Sequence, residues 1–143
     1  MLKTYPVTRS DAEWHELLTK EQFHMLREQG AERPGSSALV LEKRLGVFTC
    51  AGCDSPLFES KSKFESGTGW PSFNQPIPGA VDTAADDTYM GGYHAGYGTI
   101  RTAVSCATCG SHVGHVFNDG PAPLGLRYCA NGLGLKFIPA KTQ

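Results

Sequence analysis

The sequence predicts a mainly β, α+β chain in which a helical N-terminal third lies against an antiparallel β core. Three observations predict it. Helix-capping signatures and helical apolar spacing are concentrated near the N-terminus, around Ser10 to Gly30. From Arg44 onward the apolar and β-branched runs are short and bounded by Gly, Pro, Asn and Asp, the pattern of strands joined by tight turns. The 143 residues also include 17 glycines and 9 prolines, where an average chain of this length carries roughly 17 of the two together.

The elements follow in order. Ser10 precedes Asp11-Ala12-Glu13, a capping box in which serine and glutamate satisfy free amides of the first turn. Trp14, Leu17 and Leu18 then share one helical face. Thr19 and Gln22 repeat the capping signature, Phe23 and Leu26 follow, and Gly30 is a stop. The expectation is two short helices, 11–18 and 20–29, within a helical segment of about 10–30 that packs over the core. Strands are predicted at 44–50, 99–105, 112–117, 126–131 and 133–138. In the last, Leu133, Leu135 and Phe137 alternate with Gly134, Lys136 and Ile138, which makes one face apolar. Residues 76–93 read as loop with room for an edge strand. The chain is expected to be a single domain over 1–143, with its β core at about 44–139.

Composition narrows the function. Hydrophobic residues make up 40% and charged residues 19%, which fits a soluble globular protein. The net charge of −1 argues against nucleic acid as the main partner, because phosphate binding needs a clustered basic surface. No apolar run is long enough to span a membrane. Lys3, Arg9, Asp11, Glu13 and Glu16 interrupt the first twenty residues, leaving no apolar core of a signal peptide. The expected location is therefore the reducing cytoplasm, where five cysteines are metal ligands or catalytic thiols before they are disulfides.

Cys50-Ala-Gly-Cys53 and Cys106-Ala-Thr-Cys109 are two Cys-x-x-Cys knuckles, each following a predicted strand. Together they supply four soft thiolates, which suit a tetrahedral structural zinc ion. The long gap between the pairs implies a site that ties distant strands together. Such a closed site has no open position for Lewis-acid chemistry, so its role is stability. Cys129 is then left over. On its own it reads as a buried structural thiol, but its neighbours point elsewhere. Arg127 lies two residues away on the same strand face, where its charge favours thiolate. Asn131 lies on that face too and can donate to an oxyanion or orient a side chain. His112 and His115 are candidate acid–base partners. Asp119 is a candidate to orient one of them, although Asn118-Asp119-Gly120 also reads as a plain turn. In Ser66-Gly67-Thr68-Gly69-Trp70-Pro71-Ser72-Phe73 the glycines permit a tight bend, and Trp70 and Phe73 offer aromatic surface suited to a methyl or thioether group.

Taken together, these segments are very similar to the methionine-R-sulfoxide reductase (MsrB) family. The matching residues are Cys50-x-x-Cys53 with Pro56-Leu57-Phe58; Lys63-Phe64-x-Ser66-Gly67-x-Gly69-Trp70-Pro71-Ser72-Phe73; Cys106-x-x-Cys109-x-Ser111-His112-x-Gly114-His115-Val116-Phe117; and Gly125-Leu126-Arg127-Tyr128-Cys129-x-Asn131. Leu18-Thr19-x-Glu21-Gln22 and Glu32-Arg33-Pro34 match as well. The resemblance implies two packed antiparallel sheets with N-terminal helices, and thiol-dependent reduction of the R epimer of methionine sulfoxide, free or in oxidised proteins, as a repair reaction. It implies Cys129 as the nucleophile on sulfur. Trp70 lines the methyl pocket and Phe117 its wall. His112, His115 and Asn131 surround the sulfoxide oxygen, directly or through water, with Asp119 and Arg127 in support. The product on the enzyme is a Cys129 sulfenic acid.

Two departures stand out. Thr68 stands where many members carry a resolving cysteine, so an external thiol is expected to act as reductant: thioredoxin, glutaredoxin or glutathione. Gly132 stands where serine is usual. Gly35-Ser36-Ser37 also replaces bulkier residues. Two other readings compete: a zinc-knuckle module that binds protein or RNA, and a thiol peroxidase or cysteine hydrolase built on Cys129 and His115. Neither explains the Trp70 segment as a methyl pocket.

Overall fold

The computed structural model describes residues 5–28, 37–86 and 101–140. Helices α1 (Asp11–Leu17) and α2 (Lys20–Arg27) begin where their capping boxes predict. The Glu13 amide donates to Ser10 Oγ at 3.2 Å, and the Ser10 amide donates to the Glu13 carboxylate at 2.8 Å. Thr19 and Gln22 repeat the exchange at 3.1 and 3.0 Å. Each box satisfies two amides that a helix start leaves unbonded. The predicted end of the second helix at Gln29 and Gly30, the Glu32-Arg33-Pro34 match and Gly35-Ser36 lie outside the described residues.

Nine strands form two antiparallel sheets among the described residues. They are β1 (Gly46–Cys50), β2 (Pro56–Glu59), β3 (Lys63–Phe64), β4 (Ser72–Phe73), β5 (Val81–Asp86), β6 (Arg101–Cys106), β7 (His112–Phe117), β8 (Arg127–Ala130) and β9 (Leu135–Pro139). One sheet has the order β2-β1-β9 and the other β3-β4-β8-β7-β6-β5. The mainly β class with two short helices is as expected. The 76–93 stretch does hold a strand, β5, at the edge of the larger sheet. Residues 99 and 100 of the predicted strand 99–105 are not described. The 133–138 strand begins only at Leu135, because Gly132–Gly134 form a 3-10 turn closed by the Gly134 amide on the Asn131 carbonyl at 2.9 Å. That turn packs under α2: a Cβ on Gly134 would come within 2.9 Å of Leu26.

The sheets meet at aromatic rings. Phe48 of β1, Phe58 of β2 and Phe73 of β4 are fully buried. Phe58 stacks on Phe73 at 4.2 Å between centroids, and Phe48 meets Phe73 edge-on at 5.0 Å. Each such ring contributes roughly 1.5–3 kcal/mol by leaving water. Trp14, Leu18, Phe23 and Leu26 join the same core from the helices. No described helix is long and apolar enough to cross a membrane.

Candidate active site and metal centre

Cys129 lies within β8, flanked by Ser72 of β4 on one side and His115 of β7 on the other. Residues directly opposed across a ladder share a sheet face, so the three side chains are neighbours. The next pair on that face, two residues along, is Phe117 opposite Arg127. Arg127 forks onto Asp119, with Nε 2.8 Å from one carboxylate oxygen and a terminal nitrogen 3.1 Å from the other. Its guanidinium also sits over the Phe117 ring at 4.4 Å. The hydrogen bonds it donates to Asp119 hold the arginine's proton more tightly than usual; burial opposes this, and the charges of Asp119 and Cys129 add to it. The cation beside Cys129 is therefore permanent and fixed in place. Asp119 thereby holds this guanidinium.

The histidines require a departure from regular strand geometry. Side chains three apart on a strand point to opposite faces. In β7, however, Gly114 pairs with Val104 while His112 pairs with Ser105, so Val113 is an extra residue. This β-bulge returns His112 to the face of His115, and the two rings lie 5.1 Å apart, edge to face. Gly114 is needed behind them, since a Cβ there would collide with the Cys129 carbonyl. Asn131 is buried just beyond β8, its amide donating to the Val113 carbonyl at 3.0 Å.

The Trp70 segment is stitched to the same strand by the Ala130 amide, which donates to the Pro71 carbonyl at 3.0 Å. Its backbone is held by hydroxyls. Ser66 Oγ lies 2.8 Å from Thr68 Oγ1 and 2.7 Å from Ser72 Oγ. The Trp70 amide donates to Thr68 Oγ1 at 3.3 Å, and the Ser72 hydroxyl donates to the Trp70 carbonyl at 3.2 Å. Gly67 and Gly69 flank Thr68 at φ +76° and +91°, a region L side chains rarely adopt. A cavity of about 240 Å³ at Glu42, Lys43, Ser60, Lys63, Phe64 and Glu65 lies instead at β3, two strands away from β8, and holds none of these groups.

The four-cysteine centre joins the sheets, because Cys50 ends β1 and Cys106 ends β6. The two knuckles share one backbone pattern. Cys50 donates to the Ser55 carbonyl and accepts from the Asp54 amide; Cys106 donates to the Ser111 carbonyl and accepts from the Gly110 amide. Asp54 and Gly110 both take positive φ, +65° and +76°. The four Sγ atoms lie within 4.8 Å of one another, with Cys50–Cys109 at 3.8 Å and Cys53–Cys106 at 3.6 Å. A tetrahedron of thiolates about 2.3 Å from zinc has edges of about 3.8 Å, so the donor set fits such an ion. Hydrogen bonds from Cys106 and Cys50 pull Cys109 down to about 2. Contacts with Cys106 and Cys109, with burial, push Cys50 far up, and the contact with Cys109, with burial, pushes Cys106 to about 12.

The SelR domain model matches residues 18–139. The chain belongs to the SelR family. It is 49% identical over 134 residues to a protein of Agrobacterium fabrum named peptide methionine sulfoxide reductase MsrB, covering 93% of each chain. A protein of the same name from Methanosarcina barkeri is 50% identical over 131 residues, covering 92% of this chain and 87% of that one. A third, from Leptospira interrogans, is 46% identical, covering 93% and 96%.

Three features of this SelR chain were not drawn from its sequence. Ser72 stands directly opposite Cys129. Thr68, read only as a missing cysteine, holds the Trp70 amide. Ser55 and Ser111 lie 3.2 and 3.0 Å from Cys53 and Cys109. The last was legible, since both knuckles continue as Cys-x-x-Cys-x-Ser.

Proposed function

We propose that this chain is a peptide methionine sulfoxide reductase that uses Cys129 to reduce the R epimer. The observation that carries this reading is the register that puts Cys129 between His115 and Ser72 with the Arg127 cation beside it. That environment favours thiolate. The thiolate attacks the sulfoxide sulfur, forming an S–S bond, while His112 or His115 protonates the sulfoxide oxygen. The S–S bond then breaks as the protonated oxygen passes from methionine sulfur to Cys129 sulfur: methionine sulfur gains two electrons, Cys129 sulfur loses two, and Cys129 is left as a sulfenic acid. Two equivalents of an external thiol then return Cys129 to thiol, releasing a disulfide and water. Thioredoxin, glutaredoxin or glutathione is the reductant, because the other four cysteines serve a metal. Trp70 and Phe117 bound the methyl pocket; Asn131 and Asp119 support the oxygen side, Asp119 through Arg127.

Zinc is the ion we assign to Cys50, Cys53, Cys106 and Cys109, on the donor chemistry and spacing given above. Bound there it supplies a cross-link between the sheets and, with four thiolates, no open position for substrate. The helices and β core act as one domain, with the cytoplasm as working compartment and neither membrane nor nucleic acid as partner.

Incubation with dithiothreitol and a racemic methionine sulfoxide derivative, beside Cys129→Ser, tests the reading. The expected result is loss of the R epimer alone, abolished in the variant. Consumption of neither epimer by folded, metal-loaded protein would remove the reductase assignment.

A further inference from the structure

The N-terminal segment does more than cover the core. It lies directly over both knuckles. The Val7 amide donates to the Thr108 carbonyl at 2.9 Å. The Tyr5 ring closes on Gly110, where a Cβ would come within 2.8 Å of it. Trp14 is fully buried against Gly52, in the middle of the first knuckle, where a Cβ would lie 3.0 Å from the indole. Two arginines flank that indole, Arg9 at 4.9 Å and Arg27 at 4.5 Å from the ring. Each reaches past it to a different knuckle. Arg9 donates to the Gly52 carbonyl at 3.3 Å. Arg27 donates to the Cys109 carbonyl at 3.1 Å and, through the same nitrogen, to Ser111 Oγ at 3.2 Å. The Ser111 oxygen is fully buried and 3.0 Å from Cys109 Sγ.

The charge balance gives this arrangement a purpose. A divalent ion held by four thiolates leaves an excess of roughly two negative charges. Buried, that excess is costly unless cations or hydrogen-bond donors face it. Arg9 and Arg27 carry two positive charges. Ser111 Oγ accepts from Arg27 and lies in hydrogen-bond reach of Cys109 Sγ; as a metal-bound thiolate Cys109 has no hydrogen to give, so the serine hydroxyl becomes the donor to it. The guanidinium thereby reaches the sulfur through one hydroxyl.

We propose that Arg9 and Arg27, clamped on Trp14, are positioning residues of the four-cysteine metal centre. They offset its charge, and Arg27 tunes the Cys109 thiolate through Ser111, so the N-terminal helices slow metal release. This rests on the reading that the four cysteines hold a metal.

The test measures zinc release from the full chain into a chromophoric chelator. Arg27→Gln, Arg27→Lys, Arg9→Gln and Ser111→Ala are compared with Phe23→Leu, which loosens the same helix without touching the clamp. Removing a group that supports a metal ligand typically costs 10- to 100-fold in affinity, so Arg27→Gln should release zinc at least about tenfold faster. Arg27→Lys should recover part of the loss, and Phe23→Leu should release at the wild-type rate. Cobalt loading adds a spectroscopic readout. Both Ser111→Ala and Arg27→Gln should shift the thiolate-to-cobalt charge-transfer band, and Ser111→Ala decides the matter if Arg27→Gln does not fold. Release no faster than in Phe23→Leu, with an unmoved cobalt band, would overturn the proposal while leaving the metal reading intact. Wild-type protein that binds neither ion would overturn both.

Discussion

The chain uses cysteine in two environments, and the contrast between them explains what each does. At the sheet junction, Cys50 and Cys106 are completely buried and Cys109 nearly so. Their neighbours are one another, two serine hydroxyls and backbone amides. On β8, Cys129 is half-buried beside a fixed guanidinium and across from a histidine. The first set gathers four sulfur atoms within 4.8 Å of one another, a spacing that suits a shared cation. The second has a counter-charge built in and is only partly buried. Reactivity is thus decided by the neighbours and not by the residue type.

The largest effect should come from breaking the closed centre. Cys106→Ser, or stripping the metal with a strong chelator, should destabilise the fold by more than about 3 kcal/mol, because the site joins β1 to β6 across the two sheets. Cys129→Ser should cost less than about 1 kcal/mol. Thermal unfolding of both variants, with metal content measured alongside, checks the contrast. Equal losses of stability would mean that Cys129 is also a structural thiol.

The contrast also marks what could be read from the chain. The knuckles were legible because their spacing alone carries the chemistry, and α1 and α2 because their capping boxes are local. The β7 strand was legible over its full length. The paired histidines were legible only as candidates: nothing in Ser111-His112-Val113-Gly114-His115 announces that Val113 bulges and turns His112 onto the face of His115. Strand β2 was not predicted, and β3 and β4 escaped because two residues carry no periodicity. They exist through pairing, β2 with β1, and β3 and β4 with each other and with β8. The partnership of Asp119 with Arg127 spans a loop whose course was not predictable, so a histidine was an equally reasonable partner. Local signals were readable, and those created by register were not.

A smaller effect, confined to the open site, should follow from neutralising its cation. Arg127→Met keeps much of the side chain's bulk over Phe117 but removes the charge beside Cys129. Single preorganised electrostatic groups are worth about 100-fold in rate, so kcat/KM should fall by about that factor. Metal content and unfolding temperature should hardly move. Alkylation of Cys129 by iodoacetamide across a pH series separates the causes. A lost cation should move the alkylation profile to higher pH, whereas an unshifted profile with reduced turnover would assign Arg127 to substrate positioning alone.

The smallest effect tests whether Asp119 acts by charge or by geometry. Hydrogen bonds from Arg127 hold its carboxyl below the ordinary aspartate range, with burial opposing weakly. A lowered folded-state value means the pair stabilises the fold fully above the unfolded value of about 3.9. That contribution is lost only as the pH falls through the lower folded value. Between about pH 5 and 8 it is therefore constant. Asp119 is 61% exposed, so solvent screening limits its worth to about 1 kcal/mol or less. Asp119→Asn should accordingly show a small loss of stability in urea that is the same at both ends of that window. Its effect on turnover should be larger than its effect on stability, because a loosened Arg127 no longer faces Cys129 in one orientation. A stability cost that changes between pH 5 and 8 would show that another titrating group shares the carboxylate.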